Sequence, residues 1–108
     1  MTDNRYIDTR GACECPVSFT EAVVDGLAAG GGLYVPERVP ELTLDEVCAL
    51  AELPYAKRAA RIYRAFEVDL TDEQLEKITT EAYGSQFDDE AICPITSLGD
   101  DVHMLELW

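Results

Sequence analysis

Few residues of this chain have the type and spacing to do chemistry. Thr9-Arg10-Gly11 closes a short extended run and places a planar, permanently charged guanidinium at a turn. Such a group suits a phosphate or carboxylate, and strand-end loops commonly carry binding contacts. Thr9 and Arg10 are therefore the candidate substrate-binding residues. The competing expectation is that Arg10 pairs with one of the many carboxylates while Gly11 supplies the turn. Gly30-Gly31-Gly32 has the glycine content of a phosphate loop. Those loops precede a helix and converge their N–H groups on an anion. Here the glycines follow a helical pattern and lead into a strand, which predicts a helix stop and tight turn.

The remaining candidates are weaker. Cys13-Glu14-Cys15, Cys48 and Cys93 contain one close pair with a single-residue gap. Structural zinc sites use paired knuckles with longer gaps, so no metal site is expected. A disulfide within Cys13-x-Cys15 would be strained. Cys48 and Cys93 fall in apolar runs typical of core thiols. His103, the sole histidine, has no nucleophile motif around it. Asp88-Asp89-Glu90 and Asp100-Asp101 lack calcium-loop spacing and read as solvated turns. Lys57, Arg58, Arg61 and Arg64 hold four of the eight positive charges. Positions 57, 61 and 64 share a helical face, expected to meet carboxylates within the domain or on a docked neighbour. No catalytic residue emerges.

Three helix-start signatures supply the scaffold for these residues. Ser18-Phe19-Thr20-Glu21, Thr43-Leu44-Asp45-Glu46 and Thr71-Asp72-Glu73-Gln74 each set a hydroxyl three residues before a Glu or Gln, the spacing of a reciprocal cap. Behind them, Phe19, Ala22, Val23 and Leu27 share a face, as do Leu44, Val47, Cys48, Leu50 and Ala51. Pro54 starts a helix over 55–66 with Ala59, Ile62, Tyr63 and Phe66 inward. The last cap leads into Leu75, Ile78, Ala82 and Tyr83, closed by Gly84. Strands are expected over 5–9, 33–35, 92–97 and 102–107, the last two joined by a hairpin connection over 98–101. The fold class is α+β: one compact domain over 1–108, a few short strands with about four helices.

Composition bounds the function. The 108 residues carry 22 Asp and Glu against 8 Lys and Arg, a net charge of −14. Such a surface repels phosphate backbones and anionic lipid, which argues against nucleic acid and membrane partners. The start of the chain lacks the basic flank and apolar run of a signal peptide, so a cytoplasmic protein with reduced thiols is expected.

Three segments resemble the N-terminal domain of threonine synthase. Tyr6-Ile7-Asp8-Thr9-Arg10-Gly11 is similar to that family's opening Y-x-S-T-R-G, with Asp8 in place of the usual Ser. Phe19 to Pro36 follows its Phe-x-x-Ala helix through Gly26-Leu27-Ala28 into Gly31-Gly32-Leu33-Tyr34-Val35-Pro36, with Gly30 where the family often has Asp. Leu105-Glu106-Leu107-Trp108 resembles the L-E-L-(F/W) segment that leads into H-G-P-T-x-x-F-K-D. The lysine of that motif carries pyridoxal phosphate in the family. The resemblance implies a parent lyase converting O-phosphohomoserine and water to threonine and phosphate. The chain ends before the cofactor motif, and Lys57 and Lys77 lack an F-K-D setting. The expectation is an inactive domain fragment that binds no cofactor and packs against the missing cofactor-binding domains, with self-association through the exposed interface. A severed domain should show an apolar patch near Leu105, Leu107 and Trp108. The alternative is a free-standing acidic protein-interaction module, which should be polar all round.

Overall fold

A computed structural model describes residues 3–12 and 14–107. All three reciprocal caps form. The Ser18 hydroxyl accepts from the Glu21 N–H at 3.1 Å while the Glu21 carboxylate accepts from the Ser18 N–H at 2.8 Å. Thr43 with Glu46 and Thr71 with Gln74 repeat the pattern. The caps start helices α1 (Phe19–Asp25), α2 (Leu44–Ala51) and α4 (Asp72–Ala82). Helix α3 (Tyr55–Ala65) begins instead after Pro54, which stands at its N-cap with no side-chain hydrogen bond. The strands are β1 (Tyr6–Asp8), β2 (Tyr34–Pro36), β3 (Ile95–Gly99) and β4 (Val102–Leu105).

Two small antiparallel sheets result, β1 with β2 and β3 with β4. In the first, Tyr6, Ile7 and Asp8 face Pro36, Val35 and Tyr34. In the second, Ile95, Thr96 and Ser97 face Leu105, Met104 and His103. A register shift follows Ser97, and Asp100 and Asp101 both take positive φ, 47° and 60°, as a two-residue type I′ connection demands.

The core lies where α3 and α4 meet. Val68, Leu75 and Ala60 are buried there, with Phe19, Tyr63, Phe66 and Leu70 packed around them. Ring contacts carry this core to β1, from Tyr63 to Phe19 at 5.8 Å and from Phe19 to Tyr6 at 5.7 Å. Arginines close the remaining gaps by donating to backbone carbonyls. Arg5 reaches the Pro16 oxygen at 2.8 Å. Arg58 donates to the Leu50 carbonyl in the last turn of α2 and to the Leu53 carbonyl just beyond it.

Several expectations need correction. The glycine run does not stop α1. Gly26, at φ +74°, ends it one turn earlier, its N–H donating to the Ala22 carbonyl. On α3 the buried residue is Ala60 rather than Ala59, and Ile62 is 40% exposed. On α4 the inward positions are Leu75 and Thr79, a one-turn pair, while Ile78 is exposed. Thr79 tolerates burial because its hydroxyl donates to the Leu75 carbonyl at 2.9 Å. The third strand starts at Ile95, not 92, because Ile92 takes φ +66° and its N–H closes a turn onto the Asp89 carbonyl.

Candidate functional site

Thr9, Arg10 and the glycine run form one interlocked loop pair. Past the end of β1, the Thr9 N–H donates to the Leu33 carbonyl at 2.9 Å, and the Leu33 N–H donates back to Thr9 Oγ1 at 2.9 Å. The glycine segment folds on itself, with Ala28 N–H to Gly32 carbonyl and Gly31 N–H to Ala28 carbonyl. Arg10 lies across this turn and donates from Nη1 to the Gly30 carbonyl at 3.1 Å. A side chain at Gly31 would meet Arg10 Nη1 at 2.9 Å, in a backbone at φ +80° that itself favours glycine. One at Gly32 would meet Thr9 Oγ1 at 3.1 Å and the Arg10 backbone nitrogen at 3.2 Å. The glycines therefore make room for Thr9 and Arg10. They are a seat for a guanidinium, not a phosphate loop.

Beneath this loop pair sits Asp8, buried, with Oδ2 accepting from the Ala12 N–H at 3.0 Å. It braces the Thr9-Arg10-Gly11 turn from inside, so the departure from the family's serine has a structural role. The expected ion pair of Arg10 does not form among the described residues, where its bond goes to a carbonyl. The side chain is exposed and retains donors that face solvent. An exposed guanidinium pinned at one nitrogen is chemically suited to receive an anion.

The other candidates do not converge on this place. Cys13 lies outside the described residues. Cys15 and Cys48 are exposed free thiols, and Cys93 is half-buried with its sulfur 3.6 Å from the Tyr55 hydroxyl. That contact, followed by burial, raises the Tyr55 pKa. Among the described residues no cluster of His, Cys, Asp and Glu is arranged to hold a metal ion. His103 is exposed on β4 opposite Ser97. Asp89 caps its own turn by accepting from the Ala91 N–H at 2.8 Å. On α3, Arg64 pairs with Asp72 at 2.5 Å and also donates to the Leu70 carbonyl. Arg58, which lies off the 57, 61 and 64 face, takes the backbone carbonyls of Leu50 and Leu53.

Two positioning residues were not legible in the sequence. Asp69, in the loop before α4, accepts from both the Thr20 N–H at 3.0 Å and the Thr20 hydroxyl at 2.5 Å. It thus clamps the first turn of α1 from 49 residues away. Burial pushes its carboxyl upward, but the hydrogen bonds from Thr20, its own backbone and Ser18 outweigh that and hold it below the usual aspartate value. Asn4 is fully buried, donating to the Arg38 carbonyl at 2.6 Å and accepting from the Arg38 N–H at 3.2 Å. Both contacts are set by tertiary placement, and no local pattern announces them.

A pyridoxal phosphate site needs a lysine amine held against the cofactor aldehyde and donors around its phosphate. The chain's two lysines, Lys57 and Lys77, stand exposed on α3 and α4. Neither lines the larger clefts of the surface. The described residues do not fit the group.

The hairpin β3–β4 is exposed along its whole length. Ile95, Leu98, Val102, Met104 and Leu105 are each at least half exposed, and Leu107 beyond them is 74% exposed. This is the apolar patch expected at Leu105 and Leu107, while Trp108 lies outside the described residues. No helix among the described residues is long and apolar enough to cross a membrane.

Comparison with known proteins gives one answer. The family described as threonine synthase N terminus matches residues 5–83. Threonine synthase of Pseudomonas aeruginosa is 39% identical over 105 residues, covering 96% of this chain and 22% of that protein. The human protein threonine synthase-like 1 is 34% identical, over 95% of this chain and 15% of its own length. Among solved structures, threonine synthase of Brucella melitensis, crystallised with pyridoxal phosphate bound, superposes with a TM-score of 0.81 at 31% identity, over 97% of this chain and 22% of that one. The Escherichia coli enzyme superposes at 0.75, also at 31% identity, over 95% of this chain and 23% of that one. The chain thus spans about one fifth of the length of the synthases it matches.

Proposed function

This chain belongs to the family of threonine synthase N-terminal domains, and we propose that it works as the structural domain that packs against the cofactor-carrying part of such an enzyme. The observation that carries this reading is the β3–β4 hairpin, which presents a row of apolar side chains to solvent. A row of that kind gains its burial only from another surface. The enzyme so completed converts O-phosphohomoserine and water to threonine and phosphate, and its pyridoxal phosphate is carried by the other domains. Those domains are the partner of this chain. The domain occupies residues 1–108, and its role is to dock the hairpin onto those domains and to help wall the cleft in which substrate binds.

Within that role, Thr9 and Arg10 are the residues that face substrate. Arg10 is held by the Gly30 carbonyl with its remaining donors outward, the state in which a guanidinium meets a phosphate or carboxylate. Thr9 fixes the loop by its two bonds to Leu33.

A chimera tests the reading. The matching first fifth of the Pseudomonas aeruginosa synthase is replaced by this chain and threonine formation is measured. The chimera is expected to be active, and a folded but inactive chimera overturns the proposal. In an active chimera, Arg10→Ala is expected to raise KM about tenfold with kcat changed far less, and an unchanged KM removes Arg10 from the substrate site. Alone, the chain is expected to give no borohydride-trappable adduct with pyridoxal phosphate at Lys57 or Lys77.

A further inference from the structure

Among the described residues Asp8 is the single buried carboxylate, and it lies under the loop that carries Thr9 and Arg10. Its Oδ2 accepts from the Ala12 N–H at 3.0 Å, which closes the turn over Thr9, Arg10 and Gly11. The turn needs that closure. Gly11 takes φ +68° with nothing within 4 Å of where its Cβ would stand, so neither a side chain nor packing fixes the chain there. Thr9 pins the near end through its two bonds to Leu33, and Asp8 pins the far end at Ala12. Between these ends the turn lies against the glycine run at three points. A side chain at Gly30 would meet the Ala12 Cβ at 2.4 Å, one at Gly31 would meet Arg10 Nη1 at 2.9 Å, and one at Gly32 would meet Arg10 Cγ at 3.3 Å. With Arg10 seated that closely, a displaced turn carries the guanidinium off the Gly30 carbonyl.

We infer that Asp8 is a positioning residue for the substrate anion. By holding Ala12 it keeps the 9–12 turn on the glycine run and the Arg10 guanidinium on the Gly30 carbonyl, with the remaining donors outward. Asp8 acts through Arg10, because its own carboxylate is buried, bonded to backbone and of the wrong sign to meet an anion. A buried carboxylate is costly unless it is hydrogen-bonded, so the bond from Ala12 both stabilises Asp8 and shapes the turn. The inference rests on the reading that Arg10 faces substrate, and deepens it by naming the residue that sets the orientation.

The first arm of the test reads the guanidinium directly by NMR of the isotope-labelled chain, with amide spectra reporting the fold. Asp8→Ala is expected to move the Arg10 side-chain resonances toward those of free arginine. Asp8→Asn keeps an acceptor for the Ala12 N–H and is expected to leave them near their wild-type positions. Should Asp8→Ala fail to fold, Ala12→Pro removes the donor instead and carries the same expectation. Unmoved Arg10 resonances in the folded variant overturn the inference. The second arm measures threonine formation by the active chimera. Asp8→Ala is expected to raise KM for O-phosphohomoserine about fivefold with kcat changed less than about twofold, a coupling within the range of residues that share one network. Added to Arg10→Ala it is expected to raise KM no further, since the group it positions is gone. An additive rise in the double variant overturns the inference, for it would give Asp8 an effect that bypasses Arg10. The two readings fail separately. A KM unmoved by Arg10→Ala removes the substrate-facing role of Arg10 and this inference with it, whereas a KM raised by Arg10→Ala but not by Asp8→Ala overturns the role of Asp8 alone.

Discussion

The two sheets are the same kind of object in opposite surroundings. Both are two-stranded and antiparallel, a unit that is marginal in water by itself. The β1–β2 pair is held from several sides. Tyr6 and Asp8 are buried, Tyr6 exchanges backbone bonds with Val17, and the Asn4 N–H just before it donates to the Glu67 carbonyl. Aromatic contacts then carry it into the α3–α4 core. The β3–β4 pair has its register, a tight turn and a bond from the Thr96 hydroxyl to Glu106 at 2.8 Å, but every residue in it is exposed. The molecule reaches 46 Å along its longest axis, with a radius of gyration of 16.4 Å. A compact domain of this length has about 13 Å. One sheet is thus finished by this chain's own helices. The other is shaped and left uncovered, the state that the proposed docking onto the rest of the enzyme would change.

Substitutions sharpen the contrast. The largest effect belongs to the core under β1. Leu75→Ala removes a side chain that is 2% exposed, and denaturant unfolding is expected to register a loss of about 2–5 kcal/mol. A loss below about 1 kcal/mol would mean that the α3–α4 junction is not the stabilising centre.

Next comes the clamp on α1. Asp69→Ala removes two bonds to a carboxylate and is expected to cost about 1.5–3 kcal/mol. The folded carboxyl titrates below its ordinary range, so its contribution is complete above the unfolded aspartate value, near 3.9, and fades as pH falls through the depressed folded value. Wild-type stability should therefore decline in acid more than that of the variant. Parallel pH profiles would show that Asp69 carries no such linkage.

Smaller still is Gly31→Ala, expected to cost about 1 kcal/mol from its positive φ and to displace the Arg10 guanidinium. A shift of the Arg10 side-chain resonances in NMR checks it, and unmoved resonances would separate the glycine turn from the guanidinium. Smallest is Leu105→Ala, 55% exposed, expected to change stability by less than about 0.5 kcal/mol in the isolated chain. A core-sized loss there would erase the distinction between the sheets.

What the sequence displayed was local. Three capping pairs three residues apart marked three helix starts, and Leu98 to Asp101 marked the hairpin turn, because those signals lie within one turn of chain. Apolar periodicity was less faithful. Val23, Leu27, Leu44 and Ile78 follow the pattern of a buried face and stand exposed, since a stripe reports what can be buried and not whether this chain supplies the cover. Thr9 and Arg10 were visible as residue types, whereas their seat on the glycine turn was not. Nor was the Asp69 clamp, which joins positions 49 residues apart and has no spacing to betray it.

Hydrogen exchange at the hairpin tests the central claim most directly. Amides of Ile95–Gly99 and Val102–Leu105 are compared between the isolated chain and the chimera with the Pseudomonas aeruginosa synthase. The expected result is near-free exchange in the isolated chain, β1 and β2 remaining protected, and slowing of the hairpin by about a hundredfold or more in the chimera. Equal hairpin exchange in the two would contradict the account, because the apolar row would then gain no cover from the rest of the enzyme.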